Sequence, residues 1–330
     1  MRLKIRYLLL TLAATVTAGA VAKLSDNSVG SKLVGSGGAA SASLAENTAS
    51  ALASASPFAS TVSDSPPEET LARIFAEVEA NRLGNALQLT EALLHRHPNY
   101  RLANLIKGDL LLAKTQPIQT FGALNGAPAD KVADLRAEAL VRLKAYRDKP
   151  PADFVPRYLL QMQPDQRYAI VVDTQKARLY IYQNDDGRPR FVADYYISHG
   201  KLGAEKSREG DKRTPVGVYH VTANLPRQKL SDFYGNGAFP INYPNEWDRQ
   251  QGRDGHGIWL HGTPSDTYSR PPKASDGCVV LTNRDLDALS GYLQIGLTPV
   301  IISTLFCACI MAKCRLVRRL RMASIARSVG

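Results

Sequence analysis

At Arg167 the hydrophobic pattern of this 330-residue chain changes its period. Before that point Leu71, Ile74, Phe75 and Val78 recur at three- and four-residue steps, the spacing of one helix face. After it come short β-rich runs, Tyr168 to Val172, Arg178 to Tyr182 and Phe191 to Ile197. The last two are separated by Asn184-Asp185-Asp186-Gly187, a hairpin turn signal. Further strands are expected at Val216 to Thr222, Ile258 to His261, Cys278 to Leu281 and Pro299 to Ser303. A helix is expected between Arg284 and Leu293, with Asn283 as N-cap and Asp285 in its first turn. The fold class is therefore α+β, a helical region followed by a mostly-β domain.

The helical region is placed at residues 68–150. Its first face is interrupted at Asn81-Arg82-Leu83-Gly84-Asn85. A second, with Ala86, Leu89 and Leu93, stops at His97-Pro98-Asn99. A third runs from Leu102 through Leu111, and Ala129 to Tyr146 closes the region before Pro150-Pro151. This spacing resembles about one and a half tetratricopeptide repeats. It reads equally as a small helical bundle packed on the next domain.

The termini carry most of the charge. The formal net charge is +11, but nine basic residues lie in the first six and last eighteen positions, so the body carries +2. A near-neutral body is a poor electrostatic match for a nucleic-acid duplex, and no nucleic acid is expected as a partner. Arg2, Lys4 and Arg6 precede the uncharged apolar stretch Tyr7 to Ala22, which ends in Ala20-Val21-Ala22. Residues 1–22 thus read as an export signal or an uncleaved anchor. Residues 23–67, rich in Ser, Ala and Gly, cannot bury enough apolar surface to order themselves and read as a flexible tether. Residues 304–330 form a basic, Cys-containing tail, read as an interfacial helix or as sequence from a shifted reading frame. Any membrane contact is expected only through an uncleaved N-terminus or this tail.

Three of the four cysteines, Cys307, Cys309 and Cys314, lie in the tail, which leaves Cys278 alone in the body. In an exported protein a lone body thiol has no disulfide partner, so it is better explained as reactive. His261 lies seventeen residues upstream, and both residues fall at strand ends, where a sheet can hold them face to face. An unperturbed cysteine is only a few per cent thiolate at neutral pH, and an adjacent imidazole supplies the missing base. No second close-spaced pair of ligands accompanies them, which disfavours a metal site.

The order of motifs in this half of the chain resembles the L,D-transpeptidase catalytic domain, also called the YkuD family. Val171-Val172-Asp173 and Ala177 to Tyr182 resemble its opening hairpin. Ile197 to Lys201 resembles its Ser-Thr-Gly-Lys stretch, and Thr214 to Tyr219 its Thr-Pro-x-Gly segment. Leu260-His261-Gly262-Thr263 and Ser275-Asp276-Gly277-Cys278 resemble its catalytic motif. The resemblance runs over residues 165–303. Two positions depart from it: Asp276 stands where the family usually has histidine, and Val280 where it usually has Arg or Asn. A carboxylate at 276 by itself opposes thiolate formation.

The resemblance implies a peptidoglycan enzyme of the periplasm or cell envelope. Cys278 would be the nucleophile and His261 the general base and acid. The Cys278 N–H, together with that of Gly277, would hold the oxyanion, with Ser275 and Asp276 shaping the active-site turn. Gly262, Arg270 and Lys273 would contact substrate, and no cofactor or metal is implied. Peptidoglycan stem peptides are the implied partners, with a protein partner possible through the helical region. Two alternatives stand beside transpeptidation: an L,D-carboxypeptidase or hydrolase of protein–peptidoglycan links, and a weakly catalytic wall-binding scaffold.

Overall fold

The computed structural model describes residues 65–304 and 308–310, apart from short breaks at 119, 123–125, 150–153, 157 and 160. The expected signal and nearly all of the tether fall outside the described residues, as does the tail beyond 310. No helix among the described residues is long and apolar enough to cross a membrane.

Four helices come first: α1 (Pro67–Glu79), α2 (Leu83–Arg96), α3 (Arg101–Leu112) and α4 (Ala129–Arg147). Proline opens α1, where its missing N–H costs nothing, and Glu68 and Glu69 occupy the positive end of the helix. Helix α2 ends just before His97-Pro98 with His95 and Arg96 in its last turn. The apolar faces meet in one cluster built on Leu71, Ile74, Leu93, Tyr100, Leu102 and Ile106. Burial of each large aliphatic side chain contributes about 1.5–3 kcal/mol.

The β region holds two principal sheets. The five-stranded one runs β4-β3-β2-β12-β6, from β2 (Tyr168–Asp173), β3 (Arg178–Asp185), β4 (Arg188–Tyr196), β6 (Gly217–His220) and β12 (Pro299–Ser303). Strands β2, β3 and β4 form an antiparallel meander, while β12 lies parallel to β2. Asp186 and Gly187 both have positive φ, as a two-residue hairpin turn requires. Both faces of this sheet are covered. Ile170 and Val172 join the main core, and Ala169 and Val171 join a second cluster with Tyr180, Tyr182 and Ile301. Strand β2 is therefore a nearly continuous buried run.

The smaller sheet, β11-β9-β8-β7, uses β7 (Leu225–Pro226), β8 (Gly237–Pro240), β9 (Trp259–His261) and β11 (Val279–Val280). Two further pairs are β5 (His199–Gly200) with β10 (Lys273–Ser275), and β1 (Phe154–Pro156) with β13 (Ala308–Ile310). The β1–β13 pair places three tail residues in a strand, although the composition of residues 304–330 suggests little order there. Two helices lie within this region: the short α5 (Glu246–Gln250) and α6 (Asn283–Ser290). Helix α6 stops at Ser290 rather than Leu293, and its cap is Thr282, whose hydroxyl accepts the Asp285 N–H. Asn283 is taken up by a longer-range task described below.

The helical region packs on the sheets through buried ions. Arg142 of α4, 1% exposed, donates to Glu138 (2.9 Å) and Glu68 (2.7 Å). Glu68 also accepts from Arg178 of β3 (3.2 Å), whose Nε donates to Asp194 of β4 (2.8 Å).

Candidate active site

Strands β9 and β11 run parallel, with Val280 opposite His261 and Val279 opposite Leu260. Side chains alternate along a strand, and registered partners share a face. Cys278 immediately precedes β11, so its side chain points to the same side as Val280, and therefore to the side of His261. Val280 is further pinned by a two-way bridge with Ser198 (2.8 Å each way).

His261 is 1% exposed at the end of β9. Its Nδ1 lies 2.7 Å from the Gly262 carbonyl, which accepts only from a protonated nitrogen. The ring proton is thereby assigned to Nδ1, and Nε2 carries the lone pair. The rings of Tyr234 (5.1 Å between centroids) and Phe233 (5.8 Å) flank the imidazole. Burial among them lowers the pKa to about 4, against the Gly262 hydrogen bond, which raises it.

The Cys278 side chain is half-buried, and its thiol donates to the Gly257 carbonyl at 3.3 Å. Burial raises the thiol pKa, opposed by the Trp259 N–H and the Arg270 charge and reinforced by Asp276. The resting pair is thus a neutral thiol and a neutral imidazole rather than thiolate and imidazolium.

The turn before the cysteine is fixed by its own polar groups. The Ser275 hydroxyl donates to the Cys278 carbonyl (2.6 Å) and accepts the Gly277 N–H (3.1 Å). That engagement removes the Gly277 N–H from the oxyanion role expected for it. The Cys278 N–H makes no hydrogen bond among the described residues and, beside the Trp259 N–H that faces the sulfur, is a second backbone donor at the thiol. Gly277 has φ +133°, and a Cβ there would lie 2.8 Å from the Arg213 carbonyl oxygen. Thr214 stands behind the turn, donating to Gly277 O and accepting Gly200 N–H, both at 2.9 Å.

Of the remaining expected site residues, Gly262 supplies the carbonyl that orients His261, and a Cβ on it would lie 2.1 Å from Asn283 Oδ1. Asp276 is exposed and pairs with Lys201 at 3.1 Å. Arg270 stacks on Phe233, 4.6 Å from the ring centroid, on the same aromatic group that flanks His261. Lys273 is exposed on β10 opposite His199, and its charge falls on that histidine rather than on the thiol. His199 is buried with an unpartnered Nδ1, and burial takes its pKa to about 4. Among the described residues no three His, Cys, Asp or Glu side chains are grouped as metal ligands.

Sequence reasoning missed Asn283 as a clamp. Its Nδ2 donates to Thr263 O (2.9 Å) and its Oδ1 accepts Asn236 N–H (3.0 Å), tying the His261 strand end to the Phe233–Tyr234 loop. Phe233 and Tyr234 themselves carried no periodic signal, since they sit in a 3-10 turn, Asp232–Tyr234.

The family model for the L,D-transpeptidase catalytic domain (YkuD) matches residues 167–302. Those residues belong to the L,D-transpeptidase catalytic domain family. The protein YafK of Escherichia coli (strain K12), provisionally named an L,D-transpeptidase, is 32% identical over 108 residues, 32% of this chain and 39% of YafK. The chain thus spans about two-fifths of the length of the curated relatives it matches. Among solved structures, Bd1075 of Bdellovibrio bacteriovorus is 28% identical with a TM-score of 0.45, over 53% of this chain and 62% of that one. Pgp2 of Campylobacter jejuni, a helical cell shape determining protein, is 30% identical with a TM-score of 0.40, over 44% and 50%. The L,D-transpeptidase domain includes His261, Cys278 and Arg270, while Glu138 and Arg142 lie outside it.

Proposed function

We propose that the protein is an exported peptidoglycan L,D-transpeptidase working through an acyl-enzyme on Cys278. The observation that supports this reading is the β9–β11 register, which sets Val280 opposite His261; strand alternation then turns Cys278, two residues before Val280, toward the same face, with Nε2 as the basic nitrogen of His261. The substrate is a stem peptide, attacked at the carbonyl on the L-centre of its third residue.

In the first half-reaction the thiol rotates from Gly257 O toward His261, whose Nε2 takes its proton as the sulfur–carbon bond forms. The carbonyl oxygen gains the negative charge and accepts the Cys278 N–H, a contact worth about 10²–10³ in rate. The carbon–nitrogen bond then breaks, and imidazolium returns its proton to the departing D-amino acid. In the second half-reaction an amine of another stem peptide gives its proton to His261 and attacks the thioester, releasing the thiol. Arg270 holds the carboxylate of the departing residue: its guanidinium stacks on Phe233, its charge acts on both Cys278 and His261, and Asp276 is paired with Lys201 instead. Because His261 is neutral far below pH 7, it is ready as a base without prior deprotonation.

Purified sacculi digested with wild type and Cys278→Ala, followed by mass spectrometry of the muropeptides, test the reading. New cross-links between third residues that depend on Cys278 support it. Tripeptides alone would make water the acceptor and the protein a carboxypeptidase. No cysteine-dependent change would leave a wall-binding scaffold and refute both enzymatic readings.

A further inference from the structure

Three consecutive residues of the loop between the catalytic histidine and cysteine are fastened to elements outside that loop. The Tyr268 ring lies against His97 and Tyr100 of the helical region, with centroids 4.3 and 4.6 Å away. The Ser269 hydroxyl, 7% exposed, donates to Glu138 of α4 at 2.7 Å. The Arg270 carbonyl accepts the Tyr196 hydroxyl at 2.8 Å, and the Tyr196 ring is covered by the Arg142 guanidinium at 3.8 Å. Arg142 and Glu138 are themselves joined, so two routes from one helix converge on adjacent loop residues.

We propose that α4 is a working wall of the cleft, with Glu138 acting through Ser269 and Arg142 through Tyr196 to hold the Arg270 guanidinium over Phe233 beside the catalytic pair. The helical region then sets anion selectivity at Cys278 and is not separable from the domain it precedes. Buried charge restrains the pair: Glu138 and Arg142 are each 1% exposed and hydrogen-bonded together, and Arg142 is held by Glu68 as well, so Arg142 cannot swing without leaving Glu138 buried with no cation. Ser269, Glu138 and Arg142 are positioning residues, acting through Arg270. The inference rests on the reading of Arg270 as the group that holds an anion.

The test needs no turnover. Cys278 in the full chain is alkylated with iodoacetate, an anion, and with iodoacetamide, its neutral counterpart. Each rate is followed on the tryptic peptide Ala274–Arg284 by mass spectrometry. A guanidinium held in the cleft favours the anion, so the ratio of the two rates reports its placement. Arg270→Ala should lower that ratio several-fold. Ser269→Ala and Tyr196→Phe should each lower it about threefold, and Ser269→Thr should retain it. In an Arg270→Ala background Ser269→Ala should change nothing, because the effect passes through Arg270. An unchanged ratio in both Ser269→Ala and Tyr196→Phe, or an equal drop with and without Arg270, would overturn the proposal. A protein that fails to process stem peptides would still return this ratio, so the two readings fail separately.

Discussion

Replacing Gly277 by alanine attacks the turn that presents the nucleophile. At φ +133° an alanine backbone is strained by about 1–3 kcal/mol. The new Cβ would also lie 2.8 Å from the Arg213 carbonyl oxygen and 3.0 Å from Ile258 Cδ1. The first of these is backbone and cannot rotate away, so the Gly277–Cys278 peptide must move. Its movement pulls Gly277 O from Thr214, and the accompanying shift of the Asp276–Gly277 peptide pulls the Gly277 N–H from Ser275, two hydrogen bonds worth about 1 kcal/mol each if lost. Partial relaxation leaves a cost of about 3 kcal/mol, which for a folded body of about 240 residues lowers Tm by about 6 °C. The Cys278 N–H moves with the same peptide, so the acylation rate should fall by about 10²–10³. Differential scanning fluorimetry gives the first quantity, and acylation by a stem-peptide donor below the variant's transition gives the second. Gly291→Ala is the control, since its Cβ would meet nothing closer than Ala288 O at 3.8 Å at an ordinary φ of −67°. A Gly277→Ala protein as stable as that control and within about threefold of wild-type activity would refute the reasoning about the turn.

Three further outcomes are expected. His261 is active as a base only when unprotonated, so kcat/KM should rise with pH through about 4 and be flat above it, whereas a limb near 6.5 would contradict the buried, neutral imidazole. Asp276→Asn removes a charge that opposes the thiolate while breaking only an exposed pair, so alkylation of Cys278 at pH 8 should quicken about two- to fivefold with stability changed by less than about 0.5 kcal/mol; slower alkylation would count against the assigned role of that carboxylate. Arg142→Ala leaves Glu138 buried without its cation, and urea denaturation should show a loss of about 3–5 kcal/mol, whereas a loss under 1 kcal/mol would mean the network is not holding the helices to the sheet.

What the sequence revealed is what local chemistry determines. The β2–β3–β4 meander follows from β-rich runs and a turn whose Asp186 and Gly187 accept positive φ. The first helix boundaries follow from Pro67 and from the His97-Pro98 stop. His261 and Cys278 stand out as candidates because each lies at the end of a short apolar run, and the structure places them at the ends of β9 and β11. Hidden features depend on partners far along the chain. Asn283 has the residue type of a cap, yet its amide bonds to Thr263 and Asn236, and that tertiary demand leaves the capping to Thr282. The Gly277 N–H could not be known to be occupied until Ser275 was seen folded back on it. The resemblance offers Arg270 as a substrate contact but not what holds it, because its neighbours Phe233, Tyr196 and, through Ser269, Glu138 lie 37, 74 and 131 residues from the positions they contact. The parallel pairing of β12 with β2 has the same character, joining Val300 to Ile170 across almost the whole domain.

Acyl-enzyme formation on Cys278 is tested most directly by the intact mass of the protein during reaction with a disaccharide-tetrapeptide donor. The expected product is an adduct of the donor less its terminal D-amino acid, carried on the Ala274–Arg284 peptide through Cys278 and absent in Cys278→Ala. In His261→Gln it should form more slowly by about 10²-fold or more, since the thiol loses its base. Turnover with no cysteine adduct, or an adduct that survives in Cys278→Ala, would contradict it.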